Sequence, residues 1–167
     1  MRYHVRRADR EIKDPGKLDR ILKDSRYVTV ALCMGNTPYL VSMSHSYDED
    51  ARCIYFHCAS LGKKMDYMRA NPRVWGQAII DNGYEDGICN HMYVTAMFSG
   101  TVELVEGVEE KRRILYHLFA NQDRGESSGP VDSHFKRIGE DYEVDGVTVG
   151  RIVLEEITGK VSGGTEY

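Results

Sequence analysis

One tryptophan, Trp75, and four prolines occur in 167 residues. So little proline excludes a proline-rich scaffold or spacer. Cysteine is also sparse. Cys33, Cys53, Cys58 and Cys89 include no Cys-x-x-Cys pair, and no four ligands converge at zinc-site spacing. Free thiols and no metal are expected. No apolar run approaches the ~18 residues of a membrane span, and Met1 to Arg7 lacks the apolar stretch of a secretory signal. A cytoplasmic protein that touches no membrane is the expectation. Positive charge is not in excess: Lys+Arg is 22, Asp+Glu is 26, and the net charge is -4. That balance argues against nucleic-acid binding, which rests on clustered positive charge. The small cluster Arg2, Arg6, Arg7, Arg10 is followed at once by Glu11 and Asp14, as in a solvated terminal segment. Gly-x-x-x-x-Gly-Lys and Gly-x-Gly-x-x-Gly are both missing. No catalytic residue can be named.

What is present suits a folded chain. Hydrophobic residues are 41% and charged residues 29%, and the length fits one domain over residues 1–167 with a frayed tail at 161–167. Asp14 can cap a short helix begun by Pro15-Gly16, with Leu18, Ile21 and Leu22 at helical spacing. Tyr27 to Met34, Tyr39 to Tyr47 and Cys53 to Cys58 then read as three strands joined by the turns Gly35 to Pro38 and Asp48 to Asp50. A helix follows over Leu61 to Ala70, burying Leu61, Met65 and Met68. A fourth strand runs over Val74 to Asp81, a polar loop over Asn82 to Asn90, and a fifth strand over Tyr93 to Glu106. Gly100 inside that strand suggests a bulge or close backbone approach. An amphipathic helix over Val108 to Asn121, a loop to Pro130, a short helix over Val131 to Gly139 and a last strand over Val147 to Thr158 complete the pattern. Six strands with short turns and few crossovers predict a mainly β, α+β fold: a six-stranded antiparallel barrel.

Two places suit ligand chemistry. In the second strand Tyr39, Val41, Met43 and His45 share one face, and Leu40, Ser42, Ser44 and Ser46 the other. Three hydroxyls there would make a floor under a polar ligand, or the solvent side of an ordinary sheet. His45 and His91 read as surface or interface residues. The second place is Phe56-His57-Cys58-Ala59-Ser60-Leu61-Gly62-Lys63-Lys64, a strand running into a helix. Ser60 is a plausible N-cap, and free N–H groups at a helix start attract anions. Lys63 and Lys64 oppose the helix dipole there, a conflict that a bound phosphate would remove.

These residues resemble one family. Arg7 to Ile12, Pro38 to Ser44, Ile54 to Ala59 with Gly62-Lys63-Lys64, Asn71-Pro72-Arg73-Val74 and Tyr93 to Gly100 are similar, in order and spacing, to the nitroimidazole-resistance-type branch of the pyridoxamine 5'-phosphate oxidase-like flavoproteins. The resemblance spans about Arg6 to Lys160. It implies a split β-barrel that binds FMN in the interface of a homodimer. It places Val41, Ser42, Met43 and Ser44 along the isoalloxazine ring, and His57, Cys58, Ala59, Lys63 and Lys64 at the ribityl phosphate. It adds Thr95, five positions before Gly100, and lets Trp75 and Gln77 reach the flavin of the partner subunit. The arginine- and tryptophan-rich C-terminal segment of the vitamin oxidases has no counterpart: the last strand reads Val149-Gly150-Arg151-Ile152-Val153-Leu154. The implied activity is therefore reduction of a small acceptor such as a nitroaromatic, with a non-catalytic flavin carrier or sensor as the alternative.

Overall fold

Asp14 starts the first helix: its carboxylate accepts the Gly16 N–H at 2.9 Å, and Pro15 supplies a fixed φ where no backbone donor is needed. This helix, α1 (Pro15–Asp24), buries Leu18, Ile21 and Leu22. The computed structural model of the chain describes residues 5–122 and 146–163. The expected helix over 131–139 and most of the loop before it lie outside the described residues.

Eight strands form one sheet: β1 (Glu11–Ile12), β2 (Tyr27–Met34), β3 (Thr37–Ser44), β4 (Ser46–Asp48), β5 (Cys53–Ala59), β6 (Arg73–Glu85), β7 (Asn90–Val105) and β8 (Val147–Ser162). Two further helices are α2 (Lys63–Ala70) and α3 (Val108–Gln122). The sheet order is β3-β2-β6-β7-β8-β5-β4, with β1 beside β8, and every pairing is antiparallel. The path does not close: β3 ends it on one side and β4 on the other. This is the expected split antiparallel barrel. Its six long strands are those of the sequence pattern, and β1 and β4 are short additions.

Alternation builds the core. Val28, Val30 and Leu32 of β2, Ile54, Phe56 and Cys58 of β5, Val74 and Ala78 of β6, and Val94, Ala96 and Phe98 of β7 point to one side, where α1 and α2 add Leu22, Met65 and Met68. Gly76 and Gly150 make room for this core, because a Cβ at either would strike the ring of Phe98 or Phe56. A smaller cluster joins Ile114, Leu115 and Leu118 of α3 to Cys53, Tyr55 and Val149.

Four details depart from the pattern. The second strand breaks at His45, which is 2% exposed and whose Nε2 lies 2.7 Å from the Leu22 carbonyl oxygen. His45 is thus a core-edge residue, not a surface one, and Ser46 is buried with it. The hydroxyl floor shrinks to Ser42 and Ser44. Helix α2 begins at Gly62, which caps it at φ +119, rather than at Ser60. Leu61 then precedes the helix and is 78% exposed, while Met65 and Met68 are buried as expected. The polar stretch Asn82 to Asn90 is mostly strand: β6 and β7 continue as a hairpin, with Tyr84 opposite His91 and Glu85 opposite Asn90. Finally, β8 runs on to Ser162, where Ser162 pairs with Tyr93.

The expected irregularity at Gly100 is present. Ser99 opposes Glu156 but Gly100 opposes Leu154, so β8 holds one extra residue, Glu155. A Cβ on Gly100 would collide with the Val153 carbonyl oxygen.

Candidate functional site

Among the described residues β3 pairs only with β2, so its other edge has no strand partner there. Along it, Val41 and Met43 turn toward the core, Met43 being buried, and Ser42 and Ser44 face out. The Ser42 hydroxyl lies 3.2 Å from that of Thr29 on β2, its cross-strand partner.

The start of α2 connects to this strand through aromatic rings. The Lys63 ammonium sits 4.5 Å from the centroid of Tyr39 on β3 and 5.6 Å from that of Tyr67, and the two tyrosines pack at 5.3 Å. Among the described residues no side chain caps α2, so its first N–H groups are open to solvent or a ligand there. Lys64 is half-buried beside the end of β5. Its charge reaches both His57 and Cys58. Desolvation lowers the His57 pKa and the Lys64 ammonium lowers it further, favouring the neutral imidazole. The His57 ring keeps an exposed edge and tilts against Phe119, centroids 6.1 Å apart. Burial pushes the Cys58 thiol up, partly offset by Lys64, and its Sγ lies 3.6 Å from the Met65 Sδ. Cys58 is a core thiol, and Ala59 beside it is exposed.

A cleft of about 460 Å³ opens on the outer face of the sheet, across β3, β2, β6, β7 and β8. The register explains its lining. Leu40 pairs with Ala31 and Ala31 with Trp75; Thr29 pairs with Gln77, Gln77 with Met97 and Met97 with Thr158. Trp75, 51% exposed, and Leu40, 66% exposed, are its large apolar surfaces. Trp75 and Gln77 therefore stand together in this cleft. Thr95 lies two residues along β7 from Met97, yet it is buried and its hydroxyl donates to the Ala78 carbonyl at 2.9 Å.

The site residues thus fall into three groups: the β3 edge with Ser42 and Ser44, the α2 start with His57, Lys63 and Lys64, and the outer cleft with Trp75 and Gln77. Met43 and Cys58 are buried and would meet a ligand chiefly through backbone atoms, and Val41 is partly buried. Thr29, Met97, Glu156 and Thr158 complete the cleft and were missed in the sequence. Alternation alone puts Thr29 opposite the core face of β2, but its neighbour on β6 depends on a strand order that skips three strands.

A family model for pyridoxamine 5'-phosphate oxidase matches residues 14–161. The chain belongs to this family. No curated protein matches the sequence. Among solved structures, the family member resembles a candidate 5-nitroimidazole antibiotic resistance protein from Bacteroides thetaiotaomicron, at 23% identity and a TM-score of 0.73 over 92% of this chain and 87% of that one. It is also similar to an FAD-binding protein from Mesorhizobium loti (19% identity, TM-score 0.66, 92% and 98% covered). A third likeness is to the flavocytochrome Anf3 from Azotobacter vinelandii (15% identity, TM-score 0.77, 97% and 73% covered). At these identities the likenesses establish the split-barrel fold. Among the described residues no helix is long and apolar enough to cross a membrane, and no group of three metal-ligating side chains gathers.

Proposed function

We propose that this family member is a cytoplasmic flavoprotein that binds FMN between two copies of the chain and reduces a small acceptor, a nitroaromatic being the favoured class. The observation that carries the proposal is one juxtaposition: a strand edge, β3, beside a helix start, α2, that bears Lys63 and Lys64, the edge unpaired and the start uncapped among the described residues. A flavin fits those groups. Its pyrimidine edge has donors and acceptors that match a free strand edge, and its phosphate suits uncapped N–H groups and an ammonium. Two similar structures, an FAD-binding protein and a flavocytochrome, are flavoproteins by name, which supports the same reading.

A bound flavin would supply the hydride and electron chemistry. The chain's own residues would orient and enclose it. Ser42 and Ser44 offer hydroxyls along the ring, and Lys64 and the α2 N–H groups neutralise the phosphate. His57, kept neutral by its surroundings, can accept or donate a proton near the phosphate end. The second copy is proposed on the outer face, where Leu40 of β3 and Trp75 and Ile79 of β6, on either side of β2, leave apolar area exposed. Trp75 and Gln77 would then face the partner's flavin.

The test is a visible spectrum of the purified protein, repeated after adding FMN and desalting. Retained flavin bands, FMN on extraction and a dimer by light scattering are the expected results. Anaerobic bleaching by NADPH followed by reoxidation with a nitro compound is expected of the reductase. Bleaching without acceptor turnover would assign a carrier or sensor, and colourless protein in both samples would overturn the proposal.

A further inference from the structure

The bulge in β8 does something to the outer cleft that the cofactor proposal leaves unused. Strand alternation would put one of two consecutive residues on each face. The extra residue at the bulge instead leaves both Glu155 and Glu156 off the core side, with Leu154 and Ile157 turned inward. The two carboxylates have different surroundings. Glu155 is held by Arg73 at 3.0 and 3.3 Å and by the Thr101 hydroxyl at 2.9 Å. That grip lowers its pKa, the Thr101 hydrogen bond first and the Arg73 one next. Glu156 lines the cleft and has no hydrogen bond or ion pair among the described residues. The cleft's other lining includes Trp75, Leu40, Met97 and neutral polar groups such as Gln77 and Thr29, with no cationic side chain among the described residues.

We infer that Glu156 makes this cleft selective by charge: it accepts aromatic ligands with a cationic or hydrogen-bond-donating edge and rejects carboxylated or phosphorylated ones. The apolar walls supply stacking area and reduce screening, so one uncompensated carboxylate acts strongly at short range. The inference rests on the proposed function in taking the cleft, whose Trp75 and Gln77 would face the partner's flavin, as the place where the acceptor meets that flavin. It narrows that acceptor to neutral and cationic aromatics and sets it apart from a vitamin phosphate.

Trp75 is the only tryptophan in the chain and lines the cleft, so its emission reports the cleft directly. Three nitroaromatic probes of one shape would be titrated against that emission: 4-nitrobenzylammonium, 4-nitrobenzyl alcohol and 4-nitrobenzoate. The ammonium is expected to bind about tenfold more tightly than the benzoate, with the alcohol between. Glu156→Gln should bring the three within about twofold, while Glu155→Gln, which removes a charge held outside the cleft, should leave the gap. Equal affinities in the natural protein, a gap that survives Glu156→Gln, or no quenching by any probe would overturn the inference. Flavin absorbance read on the same samples keeps the two claims apart. An intact gap in protein that holds no flavin overturns the cofactor proposal alone, and retained flavin without a gap overturns only the role of Glu156.

Discussion

Lys64→Ala is the perturbation that most directly tests the phosphate placement. Lys64 is half-buried, and its charge reaches His57 and Cys58 at the end of β5. An ammonium at that depth should form a charge-assisted hydrogen bond with a phosphate, worth about 1.5 to 3 kcal/mol. Its removal should weaken FMN binding about 10- to 150-fold. Lys63→Ala should cost less, about threefold or below, because that ammonium already rests on the Tyr39 and Tyr67 rings. The assay is a titration of flavin fluorescence, run in parallel with FMN and with riboflavin, which lacks the phosphate. Riboflavin should bind the natural protein and Lys64→Ala alike. The same variant should also raise the His57 pKa toward its ordinary value, since one of the two influences lowering it is gone; this is readable by proton NMR. Unchanged FMN affinity in both lysine variants, or an equal loss for riboflavin, would refute the placement.

Two further predictions concern the frame that holds the site. Gly100→Ala should destabilise the protein by about 1 to 3 kcal/mol, an overpacking cost, because its Cβ would meet the Val153 carbonyl oxygen. Gly107→Ala, where a Cβ would meet nothing within 4 Å, is the control; equal melting temperatures for the two would contradict the tight bulge. The second concerns His117 on α3, whose Nδ1 lies 2.8 Å from the Ser46 hydroxyl. Burial lowers its pKa, Asp48 raises it in part and Arg113 lowers it. The unfolded chain therefore takes up the proton first as pH falls through about 6.5, and stability should drop across that pH and below until the folded pKa is passed. His117→Gln should flatten this part of the stability curve measured by urea unfolding; an unchanged slope would refute it.

Local signals in the sequence were strong where one residue decides one element. Asp14 before Pro15 marked α1, and the runs Tyr27 to Met34 and Cys53 to Cys58 marked β2 and β5, because β-branched and aromatic residues suit a buried pleat. Gly100 in a long strand pointed to a bulge. The signals failed where pairing decides. Asn82 to Asn90 looks like a loop by composition, but Tyr84 and His91 meet edge to face across the hairpin, centroids 5.7 Å apart, where the strands continue. Ser60 looked like a cap, yet the chain turns at Gly62 instead. Within the candidate site, Ser42, Ser44, Lys63, Lys64 and Trp75 were legible from local pattern or family resemblance. Glu156 was not, because the face of a strand beyond a bulge follows from a one-residue register shift that composition does not record. The tie between Thr95 and the Ala78 carbonyl was equally hidden, being a contact between strands.

The sheet order carries a consequence for how the molecule must assemble. Strand β8 lies between β7 and β5 and, among the described residues, links one half of the sheet to the other. It comes from the far end of the sequence, after α3. Until Val147–Ser162 is available, β4 and β5 form a two-stranded ribbon with an open edge, and β7 has an open edge of its own. Such edges recruit foreign strands, and pairings over long sequence separations form slowly. A growing chain would therefore hold two sticky half-sheets apart until its last strand arrives, and losing that strand should turn a folding domain into an aggregating one.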